Sequence, residues 1–178
     1  MQVVPSDWVV GDGQVREPVV GEVIPQRMLI LFASKLVSID PDAVAGPAED
    51  QGDDQRLIGV VTWRGASASG DATVLDCGFP VRVESEFKSQ HHRLGPGQRG
   101  FRGLRWREWL IPVDLDVPPV GTRCAVWGEL RLAADHEMEG GDIAPNHPHV
   151  RRDWLIQEAT FCASGAGSWL LELEETGV

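Results

Sequence analysis

The sequence predicts an all-β fold, either a small β-barrel or a β-sandwich of about nine short strands. Twelve prolines and twenty glycines divide the 178 residues into short pieces joined by turns. The apolar runs between these turns are too short for long helices, and no long amphipathic helix is evident. A chain of this length can bury one sizeable core without disulfides, so we expect a single domain over residues 1–178.

Nine runs have the length and composition of strands. In chain order they are 15–24, 28–39, 57–63, 72–77, 80–84, 109–117, 122–133, 154–163 and 169–174. Pro18 and Gly21 place the first run at a sheet edge or a bulge. The continuous apolar start of the second run predicts a strand buried on both faces, and a short helix over 33–37 is the competing interpretation. Small-residue connections at 65–70 and 164–168 predict two hairpins.

Glycines interrupt three of the apolar runs, at Gly21, Gly59 and Gly128. A glycine inside a strand permits the bulges and the sharp coiling that a closed barrel needs. In this respect the chain resembles small oligonucleotide-binding-type (OB-like) barrels. The resemblance covers the general pattern of short strands and glycines, and no diagnostic motif accompanies it.

The chain is acidic, with a net charge of −11 and a pI of about 4.8. A field of that sign repels nucleic acids and anionic membranes unless a local patch reverses it. Two long loops carry much of the acidity: an acidic loop at 40–54 and an acidic, histidine-bearing loop at 135–149. Such surfaces also suit inhibitor or immunity proteins that capture a basic target through electrostatic steering, and this is one alternative function.

A basic Gly/Arg loop at 88–107 opposes this charge. It contains six Lys or Arg residues and no acid, so the remainder of the chain carries −17. Guanidinium groups bind carboxylates or phosphates, and aromatic rings are frequent anchors in interfaces. The predicted binding residues are Arg93, Arg99, Phe101, Arg102, Arg105, Trp106, Arg107 and Trp109.

Three interpretations of this loop compete. It can neutralise the acidic segments of its own chain or of a second copy, it can bind an acidic protein partner, or it can bind single-stranded nucleic acid. We expect a macromolecular partner, with a protein favoured over nucleic acid because nucleic acid must approach against the negative field of the whole chain.

Histidines give the only metal-ligating pattern. His147 and His149 are separated by one residue, and His136 or His91 could supply a third ligand. Pro148 between the first two makes a regular strand improbable there, so these are weak candidates for a metal-dependent enzyme. No nucleophile elbow, phosphate-binding loop or dinucleotide fingerprint occurs, and the sequence predicts no cofactor and a non-catalytic role.

The remaining composition bears on location. Cys77, Cys124 and Cys162 are odd in number and far apart, which predicts buried free thiols and no disulfide framework. No apolar run is long enough to span a membrane as a helix, and no signal peptide is evident. We therefore expect a cytoplasmic protein with no membrane partner. Four tryptophans in strand runs, Trp63, Trp127, Trp154 and Trp169, are expected in the core or at barrel corners.

Overall fold

The computed structural model describes residues 1–5, 17–48, 55–67, 70–93, 106–133, 151–162 and 168–176. For residues 66–67, 70–71, 87–93, 106–112, 162 and 168 the description covers the backbone alone. This part of the chain forms twelve strands and no helix: β1 Gln2–Pro5, β2 Val23–Arg27, β3 Leu29–Ser38, β4 Gly46–Ala48, β5 Gln55–Ser67, β6 Gly70–Asp76, β7 Pro80–Ser85, β8 Phe87–Arg93, β9 Trp106–Pro112, β10 Arg123–Leu132, β11 Arg152–Cys162 and β12 Ser168–Glu175.

Five of these strands close into a barrel. The order around the barrel is β3, β7, β6, β5 and β10, and β10 pairs again with β3. The β3–β7 pair is parallel, and the other four pairs are antiparallel. β5 completes the ring because its first half pairs with β10 and its second half with β6. The predicted all-β class is confirmed, and the architecture is the OB-like barrel with additional strands.

The additional strands extend the sheet from one end of β10. β1 runs parallel to that end, with Val4 opposite Arg131, and its other side pairs with β12. β11 and β12 form a hairpin, and β2 pairs with the far side of β11. One buried cluster spans both parts, since it contains Trp154 and Leu171 of these strands together with Leu31 and Val126 of the barrel.

The first half of β3 is buried on both faces. Leu29 and Leu31 belong to the barrel core, while Ile30 belongs to a second cluster with Val74 on neighbouring β6. The sequence-based prediction of a strand buried on both faces is therefore confirmed. The competing helix over 33–37 is wrong, because β3 continues to Ser38 and pairs with β10 through Ala33 and again from Lys35 onwards.

Two glycines inside strands are required by close backbone approaches. A Cβ on Gly59 would lie 2.7 Å from the carbonyl oxygen of Asp76 and 2.7 Å from Sγ of Cys77. A Cβ on Gly128 would overlap the carbonyl oxygen of Phe32, and Gly128 lies where the β10–β3 register shifts. Gly21, in contrast, lies in a turn with φ of 88° and not in a strand.

Several stretches differ from the prediction. The strand expected over 109–117 ends at Pro112, and the acidic loop expected over 40–54 contains the short strand β4. The strand expected over 15–24 starts only at Val23, because the chain turns at Val20 and Gly21 and the amide of Glu22 donates to the carbonyl of Val19 at 3.1 Å. The ends of the predicted loop at 88–107 are strands: β8 contributes its first residues and β9 its last. In the described part of the chain, no helix is long and apolar enough to cross a membrane.

Candidate binding surface

The arms of the basic segment form a hairpin that is separate from the large sheet. β8 and β9 pair only with each other, as a two-stranded antiparallel sheet. The register sets Arg93 opposite Trp106 and His92 opposite Arg107. Trp109 is opposite Gln90, two pairs further down the hairpin. Four of the eight predicted binding residues thus lie on two adjacent strands.

The other four predicted binding residues, Arg99, Phe101, Arg102 and Arg105, lie outside the described residues, as do the metal candidates His136, His147 and His149. His91, the possible third ligand, lies on β8 opposite Glu108. No group of three or more His, Cys, Asp and Glu side chains in the described ranges could hold a metal ion. The contacts of the basic segment and the histidine site therefore remain predictions.

The hairpin joins the barrel at a defined point. The amide of Glu86 donates to the carbonyl of Ala33 at 2.9 Å, and the amide of Val113 donates to the carbonyl of Glu86 at 2.8 Å. Ala33 is the residue of β3 that precedes a bulge, because β10 pairs with Ala33 and then with Lys35, and Ser34 is left between them. The base of the hairpin is therefore next to this bulge.

Directly beyond the bulge, three side chains form a row on the outer face of the barrel. Trp127 of β10 is the register partner of Lys35 on β3 and also of Arg56 on β5. Nζ of Lys35 lies 4.6 Å from the centre of the indole, and Cζ of Arg56 lies 5.2 Å from it. Because β10 lies between β3 and β5, the two cations approach the indole from opposite sides. We call these residues the cation row.

The two cations of this row differ from the other described cationic side chains. Arg131 binds Glu129 with two hydrogen bonds of 3.0 and 2.8 Å, and Arg152 binds Glu175 at 2.7 Å. Others donate to backbone carbonyls: Arg27 to Ala133, Arg64 to Pro118 and Arg123 to Ala43. Among the described side chains, Lys35 and Arg56 contact the indole and no carboxylate, and the buried Nε of Arg56 has no acceptor there.

Sequence reasoning missed this row. Trp127 was expected in the core or at a corner of the barrel, but its ring is on the outer face between two charged residues and is only partly buried. Lys35, Arg56 and Trp127 are far apart in the chain and give no local motif. Only the register of three strands brings them together, and a single sequence does not specify that register.

The other tryptophans lie closer to expectation. Trp154 is fully buried, and the edge of its ring meets Phe79 with ring centres 5.9 Å apart. Trp63 and Trp169 are partly buried and pack against the two core clusters. These rings therefore have structural roles, and none of them is an exposed platform for a ligand.

Cys77 and Cys124 are free and buried, as the sequence predicts. Burial, with smaller contributions from the charges of Cys124 and Asp76, raises the pKa of Cys77 to about 12. Burial alone raises the pKa of Cys124 to about 11. Since the thiolate is the nucleophile and the metal ligand, both groups are inert at neutral pH.

A buried ion pair lies on the side of the barrel occupied by the second cluster. Arg82, only 3% exposed, contacts Oε1 of Glu84 at 2.5 Å. In the sheet its register partners are Ile30 and Val74, which are both apolar and buried. Such a pair, once formed, is costly to break from one side, because the remaining charge stays in an apolar setting.

Comparisons with protein-family models, with curated proteins and with solved structures found no match to this chain.

Proposed function

We propose that this chain is a non-catalytic binding domain that recognises an acidic segment of a protein partner through the β8–β9 hairpin and the basic residues at its tip. The main observation behind the proposal is that a positively charged segment of this negatively charged chain has its own two-stranded sheet. The segment 88–107 has six cationic residues and no acid in a chain of net charge −11, and its arms form a sheet of their own.

The backbone of the hairpin supports a protein partner. β8 and β9 pair with each other, and no other strand of the described residues pairs with their outer edges. An open strand edge can accept an additional extended segment through main-chain hydrogen bonds, while nearby side chains provide specificity. Arginine and tryptophan are the residue types that most often dominate protein–protein binding energies.

The location and the reaction class belong to the same proposal. Free thiols at Cys77 and Cys124 are compatible with a reducing, cytoplasmic compartment. The inert state of these two thiols argues against Cys77 and Cys124 as catalytic nucleophiles. Self-association through the same hairpin remains an alternative, with a second copy providing the acidic segment.

A single-stranded nucleic acid is the second candidate partner, and the closed five-stranded barrel favours it. OB-like barrels use a strand face and adjoining loops to bind oligonucleotides. The net charge of −11 argues against nucleic acid, because the six local cations must hold a polyanion close to a protein that otherwise repels it. Binding would then depend steeply on salt concentration.

The test is affinity capture from native lysate with two matched variants. Arg93→Gln together with Arg107→Gln removes two charges from the hairpin, and Arg64→Gln together with Arg151→Gln removes two from exposed positions elsewhere. We expect the hairpin variant to lose a protein that the wild type and the second variant both retain, with nuclease treatment causing no loss. Retention of every partner by the hairpin variant would contradict the proposal, and loss after nuclease treatment would favour nucleic acid.

A further inference from the structure

We infer that the cation row formed by Lys35, Trp127 and Arg56 is a second anion-binding site, which takes a carboxylate of the acidic segment bound by the hairpin. This inference rests on the proposed function for the identity of the partner. Its structural basis is independent of the hairpin side chains, because all three residues lie on described strands of the barrel.

The charges of Lys35 and Arg56 are the first feature that indicates an anion-binding site. The other cations whose side chains the structure describes have a carboxylate, a carbonyl or another polar partner, whereas the described contacts of Lys35 and Arg56 are with the indole between them. Glu129, two residues from Trp127 on the same strand, is held by Arg131 through both of its carboxylate oxygens. The nearest acid on β10 therefore does not neutralise the row.

The contacts with the indole also position the two cations before a ligand binds. A guanidinium stacked on an aromatic ring has its plane and its donors fixed before a ligand arrives, which reduces the entropy lost when it binds a carboxylate. Nζ of Lys35 and Cζ of Arg56 both lie over the indole of Trp127 and approach it from opposite sides. The row thus presents two cations, one on each side of the indole.

The same contacts indicate which kind of anion the cation row binds. Single-stranded nucleic acids gain sequence-tolerant affinity when bases stack on exposed aromatic rings. Trp127 is a poor platform of this kind, because two cations of the chain already lie over its ring. The row therefore offers charge without stacking, which fits the side-chain carboxylates of a peptide better than the bases and phosphates of an oligonucleotide.

The cation row also lies next to the base of the hairpin. The base of the hairpin is hydrogen-bonded to Ala33, and Lys35 follows directly after the bulge at Ser34. An extended peptide rises about 3.3 Å per residue, so a short acidic segment bound along the hairpin can continue onto the row. The row thus lies close to the base of the hairpin along the chain of β3.

The experiment measures the binding of a fluorescein-labelled oligoglutamate peptide, by fluorescence anisotropy at low salt. Lys35→Gln with Arg56→Gln removes both charges and leaves part of each stem over the indole. We expect this variant to bind about five- to tenfold more weakly than the wild type. The charge-matched control, Arg64→Gln with Arg151→Gln, should change the affinity by less than about twofold.

A second variant separates charge from folding. Lys35→Arg with Arg56→Lys retains both charges, and we expect it to bind like the wild type with an unchanged circular dichroism spectrum. If Lys35→Gln with Arg56→Gln binds as well as the charge-matched control does, the inference is wrong. The proposed function still stands in that case when the Arg93 and Arg107 variant loses affinity. Tighter binding of oligothymidylate than of oligoglutamate, lost in the same row variant, would overturn the assignment to carboxylates.

Discussion

The indole N–H of Trp154 donates a hydrogen bond of 2.9 Å to the carbonyl oxygen of Arg27. Trp154 lies on β11 and is fully buried, and Arg27 ends β2 directly before the barrel strand β3 begins. The side chain of Arg27 donates in turn to the carbonyl of Ala133 at the end of β10. This pair of residues therefore connects the additional strands to the barrel through groups that water does not reach.

Replacing Trp154 with Phe should destabilise the fold. The substitution retains an aromatic ring but removes the donor to the Arg27 carbonyl, and an unsatisfied buried acceptor costs about 1–3 kcal/mol. Urea denaturation followed by circular dichroism gives the change in the free energy of unfolding. The control is Trp169→Phe, since Trp169 is only partly buried and its ring meets the exposed Phe161. Equal losses in the two variants would show that the hydrogen bond contributes nothing.

Much of the fold follows from patterns that are local in the sequence. The apolar run from Met28, the alternation around Val81 and the turn-rich composition predict strands that the structure contains. Short strands such as β1 and β4 could not be predicted, because their few residues have no period of their own and gain order only by pairing. The apolar pattern around Gly21 predicts a strand, but the chain turns there instead. The turn requires a left-handed backbone conformation, which glycine adopts without strain.

The glycines at 59 and 128 should not tolerate even a methyl group. A Cβ at Gly59 would be 2.7 Å from the backbone of Asp76, and one at Gly128 would overlap the backbone of β3. Overpacking of this kind costs about 1–3 kcal/mol, because strands of a closed ring cannot separate freely. We expect Gly59→Ala and Gly128→Ala to lower the free energy of unfolding by at least that amount, measured by urea denaturation.

Gly78→Ala is the matched comparison for these two variants. Gly78 has φ of 88°, but a Cβ there would meet no atom within 4 Å. Its cost comes from the left-handed backbone alone, about 1–2 kcal/mol. If Gly78→Ala is as destabilising as the two strand substitutions, close packing between strands is not what selects glycine in this barrel.

Two ion pairs, Arg82–Glu84 and Arg152–Glu175, should differ in their contribution to stability. Arg82 is 3% exposed and Glu84 is 11% exposed, whereas Arg152 and Glu175 are 32% and 30% exposed. Glu84→Gln removes the carboxylate charge next to the nearly fully buried Arg82 and should cost more stability than Glu175→Gln, which should cost about 1 kcal/mol or less. Thermal denaturation of both variants checks the order, and a larger loss for Glu175→Gln would contradict it.

The binding surface is less predictable than the fold for a physical reason. The basic segment is visible in the sequence because its six charges lie within twenty residues that contain no acid, and this composition does not depend on folding. The cation row is invisible there because Lys35, Arg56 and Trp127 meet only through cross-strand registers. A one-residue slip of either neighbouring strand would move its cation to the opposite face of the sheet, so no local pattern could reveal the site.

The buried thiols should make the fold unstable in alkali. Both cysteines have a pKa above the ordinary value of 9.0, about 12 for Cys77 and about 11 for Cys124. Above pH 9 the unfolded chain releases these protons while the folded chain retains them. The stabilisation is therefore complete below pH 9 and is lost as the pH rises towards 11 and 12, at about 1.4 kcal/mol per pH unit for each thiol.

This chain suits the measurement because it has no tyrosine and only two lysines, so few other side chains titrate in that range. The experiment is urea denaturation at several values between pH 9 and pH 11, for the wild type and for the Cys77→Ala, Cys124→Ala double variant. We expect the double variant to be less stable at pH 8, because it leaves space in the core, but to lose less stability with each further pH unit. Parallel losses in the two proteins would mean that the thiols of Cys77 and Cys124 ionise as readily in the folded state as in the unfolded one.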